Sequence, residues 1–90
     1  MRTLSRTGSF KRDYKRETRN SLWSDQAFID VISALANDVN LPEKFRDHAL
    51  SGSWKDHRDC HIRPDLVLIY QKSDDELQLV RIGSHSELGL

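Results

Sequence analysis

Long apolar runs are missing from this sequence. No stretch approaches the roughly eighteen residues of a membrane-spanning helix, and the basic start, Met1-Arg2-Thr3-Leu4-Ser5-Arg6-Thr7, lacks the apolar segment of a signal peptide. Cysteine is nearly missing too. Cys60 stands alone, which excludes an internal disulfide and makes a reducing cytoplasm the expected compartment. An excess of charge is absent, since 14 basic residues balance 14 acidic ones, so the molecule as a whole is no polycation. There is no internal repeat and no low-complexity segment. What remains is 90 residues, 37% hydrophobic and 31% charged, which is the make-up of one well-solvated domain spanning residues 1–90 with a core just large enough to fold alone.

The charge that is present is unevenly spread. Arg2, Arg6, Lys11, Arg12, Lys15, Arg16 and Arg19 face only Asp13 and Glu17 in the first nineteen residues. Such a run is either a solvated helix face or a local phosphate-attracting patch.

The chain reads as α+β. Arg2 to Thr7 is a weak candidate strand, broken by Gly8-Ser9. Ser9 is a candidate N-cap for a helix through Phe10 and Tyr14, an i, i+4 apolar pair. Asn20-Ser21 is a turn, and Ser24 or Asp25 caps a second helix whose Phe28, Val31, Ile32 and Leu35 form one apolar stripe ending at Asn37-Asp38. The spacing predicts two antiparallel N-terminal helices. A long connection, Val39 to Lys55, holds a possible helical turn at Pro42-Phe45. Three strands follow, His57 to Ile62, Leu66 to Gln71 and Leu77 to Ile82, rich in aliphatic and β-branched residues. Their short connections require an antiparallel meander. Strict alternation puts His57, Asp59 and His61 on one face of the first strand and groups Leu77, Leu79 and Arg81 on the last. Leu66 to Tyr70 is apolar on both faces, so that strand should be central. The helices should then pack on one side of a small, mainly antiparallel twisted sheet.

Histidine is concentrated where the chemistry should be. His48, His57 and His61 fall in residues 47–65 among aspartates, arginines and a lysine, and His85 closes an Arg-Ile-Gly-Ser-His run. Near neutrality an imidazole both accepts and donates a proton. Cutting a phosphodiester needs one proton removed and another supplied, beside cations that hold the phosphate. A small metal-free ribonuclease is the reading this favours.

The order of elements and one spaced motif resemble the RelE-type toxins of bacterial toxin–antitoxin pairs, and within them the YafQ branch. The motif reads Asp47-His48, Leu50, Gly52, Trp54, Arg58-Asp59, His61 and Asp65, then Arg81, Gly83, Ser84 and His85. It covers the C-terminal half closely and the helical half only in pattern. The chain departs from the branch at Leu66, where tryptophan is found, and in lacking an aromatic near its end. The resemblance implies a RelE-like fold and cleavage of messenger RNA in the ribosomal A site. It implies attack by the 2′-hydroxyl, without cofactor or metal, and a cognate antitoxin as partner. The implied site is His48, His61, Asp65, Arg81 and His85, with His85 the choice for general acid. His48, His61 and Asp65 all remain open as the base. Arg81 suits phosphate, or else pairs with Asp59 or Asp65. Lys55, Arg58 and Arg63 are candidates for the RNA path, while Trp54 and Tyr70 read as core.

Three rivals stand beside this reading. His57, Cys60, His61 and His85 include zinc-ligand types, but on a strand Cys60 would point away from the two neighbouring histidines. A ParE-like relative would share the fold and bind a protein without cutting RNA, and would have no need of proton-transfer groups. A plain nucleic-acid-binding module gets little support from a neutral chain.

Overall fold

In the computed structural model, which describes residues 2–90, the elements in chain order are β1 (Thr3–Arg6), α1 (Gly8–Glu17), α2 (Asp25–Ala36), β2 (His48–Ala49), β3 (Arg58–Arg63), β4 (Leu66–Lys72), β5 (Glu76–Gly83) and α3 (His85–Leu88), with 3₁₀ turns at Glu43–Phe45 and Gly52–Trp54. The sheet order is β1-β5-β4-β3-β2, which puts the doubly apolar β4 in the centre. The meander β3-β4-β5 is antiparallel, as its short turns require. β1 lies parallel to β5 at the edge, so the sheet is mixed. Its weak alternation is explained by that position, since three of its four residues stay exposed.

One face of the sheet carries Cys60, Ile62, Leu66, Leu68, Tyr70, Leu77, Leu79 and Ile82 against Phe10 of α1 and Val31, Ile32, Leu35 and Ala36 of α2. The helices touch the sheet more than each other and meet through aromatic rings, with Phe10, Tyr14, Trp23 and Phe28 in mutual contact. Thr7 rather than Ser9 caps α1, accepting from the Phe10 amide at 3.0 Å, because the helix begins at Gly8, two residues before the apolar pair. Ser24 caps α2 in the same way, at 3.1 Å from the Ala27 amide. The opposite face holds a smaller cluster, Val67, Ile69, Val80 and Leu88, covered by Leu50 and Trp54.

One irregularity moves a functional residue. The β4–β5 register shifts between Ile69 and Tyr70, pairing Ile69 with Arg81 and Tyr70 with Leu79. Val80 is the extra residue of a β-bulge. Strict alternation would keep Arg81 with Leu77 and Leu79; the bulge pairs it with Ile69 instead. None of the described helices is long and apolar enough to cross a membrane.

Candidate active site

Cross-strand register assembles the site in two rows on the face opposite the main helices. His48 of β2 pairs with Asp59 of β3, Asp59 with Ile69 of β4, and Ile69 with Arg81 of β5. The next row runs His61, Val67, Gly83, and His85 opens α3 just beyond it. The β2 strand was not legible in the long connection because only two residues pair. α3 was missed because four residues carry too little periodicity, although Ser84 and Glu87 form a capping box that marks its start.

His48 is set by its own segment. Arg46 takes the left-handed conformation, φ 50°, which turns its carbonyl back to within 2.7 Å of His48 Nδ1. The Asp59 Oδ1 atom lies 3.0 Å from the same nitrogen. Both neighbours are acceptors, so Nδ1 carries the proton and Nε2 is left with a free lone pair. Asp47 is anchored at the same time by the Tyr70 hydroxyl, which donates to it, and by Arg58 Nε at 3.3 Å. Tyr70 is fully buried, as expected of a core residue, and its hydroxyl ties the His48 segment to the sheet.

Asp59 belongs to the spaced motif and was expected at most as a partner of Arg81, not as a site residue. It is 3% exposed, and its Oδ1 has no well-directed hydrogen bond, because the His48 N–H is aimed at Arg46. Burial pushes its carboxyl above the ordinary carboxylate value, while His48, His61 and His85 pull the other way. A buried carboxylate left half-satisfied among three histidines is a costly arrangement that packing alone does not need.

His61 and His85 meet edge to face with ring centroids 4.9 Å apart. Burial, the neighbouring His85, Arg46 and His48 hold the His61 pKa below its usual value, against the pull of Asp59. The proton on His61 is therefore held less tightly than on an ordinary imidazole. His85 is held by Asp65, whose Oδ1 accepts from the His85 amide at 3.0 Å and lies 2.7 Å from its Nδ1. Those contacts keep the Asp65 carboxyl below the usual carboxylate range. They also fix the proton on Nδ1 and leave Nε2 clear.

Arg81 departs from expectation. It pairs with neither Asp59 nor Asp65; Nε donates to Asp13 Oδ2 at 2.5 Å and Nη2 to Asp13 Oδ1 at 3.2 Å. Asp13 is buried on α1 and also accepts from the Ile82 amide at 3.2 Å and from Arg16. An aspartate one helical turn beyond Phe10 gave no sequence signal of this role. The pairing leaves both Nη1 hydrogens and one on Nη2 available to a phosphate.

The three RNA-path candidates separate. Arg58 is engaged with Asp47 and Tyr70, and Lys55 is exposed after the second 3₁₀ turn. Arg63 lines an open depression with Arg16, Arg19, Asp65 and Ser84, which brings part of the basic N-terminal run beside His85. His57 touches Trp54 and the Lys55 carbonyl and stands outside the cluster. Cys60 is buried in the main core on the helix-covered side, where burial pushes its thiol up. Among the described residues, no three His, Cys, Asp or Glu side chains are grouped to hold a metal ion.

Residues 2–89 match the family described as the bacterial toxin of type II toxin–antitoxin systems, YafQ. A putative toxin YafQ of Haemophilus influenzae is 49% identical over 67 residues, covering 70% of this chain and 66% of that protein. The mRNA interferase toxin YafQ of Escherichia coli is 32% identical over 87 residues, 97% of this chain and 95% of that one. Its crystal structure in the DinJ–YafQ complex superposes with a TM-score of 0.85 at 32% identity over 98% of both chains. A copper-bound L66S mutant toxin from Helicobacter pylori superposes at 0.92, with 44% identity over 98% of this chain and 99% of that one.

Proposed function

The chain belongs to the YafQ family of type II toxins, and from that premise we propose that it is a ribosome-dependent endoribonuclease that cuts messenger RNA in the A site by acid–base catalysis without a metal. The observation that carries this reading is a pair of histidines each anchored through Nδ1. His48 is held by the Arg46 carbonyl and Asp59, and His85 by Asp65, so each keeps Nε2 for the substrate, one to take a proton and the other to give one.

His48 Nε2 takes the proton of the 2′-hydroxyl as that oxygen attacks phosphorus. The P–O5′ bond breaks, and His85 Nε2 gives its proton to the departing 5′-oxygen. The products are a 2′,3′-cyclic phosphate and a free 5′-hydroxyl. As His48 becomes cationic, Asp59, 3.0 Å from Nδ1, compensates the charge. That gives the buried carboxylate a use that ground-state packing does not. His61, its pKa held below the usual value by burial and His85, donates a hydrogen bond to the phosphate. Arg81, oriented by Asp13, offers its remaining donors to a phosphate oxygen. The acidic Asp74, Asp75 and Glu76 lie at the β4–β5 turn, at the other end of the strands from His85.

The Escherichia coli relative is named an mRNA interferase and is solved in complex with DinJ. By that likeness, this toxin acts in the cytoplasm on ribosome-bound message and is neutralised by a cognate antitoxin. The test is cleavage of a defined message on programmed ribosomes, by the wild type and by His48→Ala and His85→Ala. A transition-metal chelator that spares magnesium is present throughout. Cutting that survives the chelator, is lost in both variants and is blocked by the antitoxin supports the proposal. A folded wild type that binds ribosomes without cutting would replace it with a ParE-like binder.

A further inference from the structure

The cation closest in effect to the histidines is one the motif does not contain. After burial and His85, Arg46 adds to the lowering of the His61 pKa, and it sits in the left-handed region at φ 50°, a strained conformation for a bulky side chain that glycine or asparagine would adopt more readily. Keeping arginine there makes sense if the side chain itself is used. It lines an open groove of about 790 Å³ together with Lys44, Phe45, His61, Arg63 and Pro64, walled by Ala27 and Asp30 of α2. That volume falls within the roughly 300–1,000 Å³ of small-ligand sites.

The lining has two characters. Phe45, half-buried against the main core, shares the groove with Pro64 and Ile62, and Lys44 Nζ stands 5.3 Å from the Phe45 ring centroid. Around this apolar floor are Lys44, Arg46 and Arg63 against the single acidic residue Asp30. An aromatic floor bordered by cations fits one nucleotide, with its base on the ring and its phosphate on the guanidinium. His61 also lines the groove, which makes it continuous with the catalytic rows.

We propose that this groove binds the nucleotide carrying the attacking 2′-hydroxyl, with its base against Phe45 and its 5′-phosphate held by Arg46. The assignment rests on the ribonuclease reading above. The side follows from what adjoins the groove: Lys44 and Arg46 also line the neighbouring depression that holds His48, the proposed base, whereas Asp65 and Ser84, which flank the proposed acid, line a depression beside α1 that shares only Arg63 with the groove. The departing nucleotide belongs to that other side.

The test uses the full chain and two readouts. Isotope-labelled protein is titrated with a short RNA whose scissile nucleotide is 2′-deoxy and so cannot be cut. Amide shifts at Lys44–Arg46 and His61–Arg63 are the expected outcome; shifts confined to Ser84–Glu87, with Lys44–Arg46 unmoved, would overturn the proposal. In parallel, Phe45→Leu, Phe45→Trp and Arg46→Gln are compared on programmed ribosomes. Phe45→Leu keeps the core apolar, and its KM should rise roughly tenfold, the scale of one lost stacking contact. Base preference should relax at the position 5′ of the cut only, the cyclic-phosphate product should persist, and Phe45→Trp should restore the preference. Arg46→Gln should raise KM with little change at the 3′ position. Unchanged KM and preference in both Phe45→Leu and Arg46→Gln, whether or not these variants escape the antitoxin, would reject the groove as an RNA subsite. A wild type that cuts no RNA would fail the ribonuclease reading instead, which is a separate result.

Discussion

His85 stands edge-on to His61 at 4.9 Å between ring centroids, so the two rings cannot comfortably carry charge together. Burial and this neighbour place the His61 pKa below its usual value. His85→Gln should move the His61 titration upward, read by NMR of the imidazole carbons. A titration that stays in place would mean the rings do not interact in solution.

Asp59 should trade stability for function. Burial raises its carboxyl, so the folded state binds this proton more readily than the unfolded chain does. Stability from this group therefore falls as pH rises from the ordinary carboxylate value through the raised one, and is lowest at neutral pH. Asp59→Asn removes that cost, so its Tm at neutral pH should equal or exceed the wild type's. The cleavage rate should fall by about 10²-fold. A clear loss of Tm would show that the carboxylate is structural.

Tyr70→Phe removes one hydroxyl from a buried ring and leaves Asp47 with Arg58 alone. The expected loss is about 1–2 kcal/mol in denaturant unfolding. Because Asp47 precedes His48, kcat should fall more than KM rises. An unchanged kcat would sever the link between Tyr70 and the base.

Asp13→Ala strands the Arg81 guanidinium and the Ile82 amide. A fully buried pair broken in this way costs about 3–5 kcal/mol; since the Arg81 side chain is 28% exposed, about 2 kcal/mol is expected. Asp13→Asn, which can still accept from the amide, should lose less stability and yet raise KM. Equal loss of both in the two variants would leave Asp13 as packing only.

Much of this was legible in the sequence. Turn lengths gave the antiparallel meander, the doubly apolar Leu66–Tyr70 gave the central strand, and the spaced motif named His48, His61, Asp65 and His85; register aligns the first two on one sheet face, and Asp65 holds His85 against His61. What stayed hidden depends on small or long-range effects. The β-bulge at Val80 breaks alternation without any glycine or proline to announce it, so the face of Arg81 was misjudged. Asp13 partners Arg81 across 68 residues, and no local pattern encodes a contact of that span. The parallel edge strand β1 and the two-residue β2 are too short to carry a period. Which ring nitrogen of His48 donates depends on the Arg46 carbonyl, which only the left-handed turn reveals.

The most direct test of intramolecular attack replaces one atom of the substrate. A message is programmed so that the nucleotide 5′ of the cut carries either a ribose or a 2′-deoxyribose, and both are presented to the wild-type toxin on ribosomes. The ribose message should be cut to a 2′,3′-cyclic phosphate, and the deoxy message should remain intact at that position while binding equally well. Cutting of the deoxy message would mean that water is the nucleophile, and would contradict the roles assigned to His48 and His85.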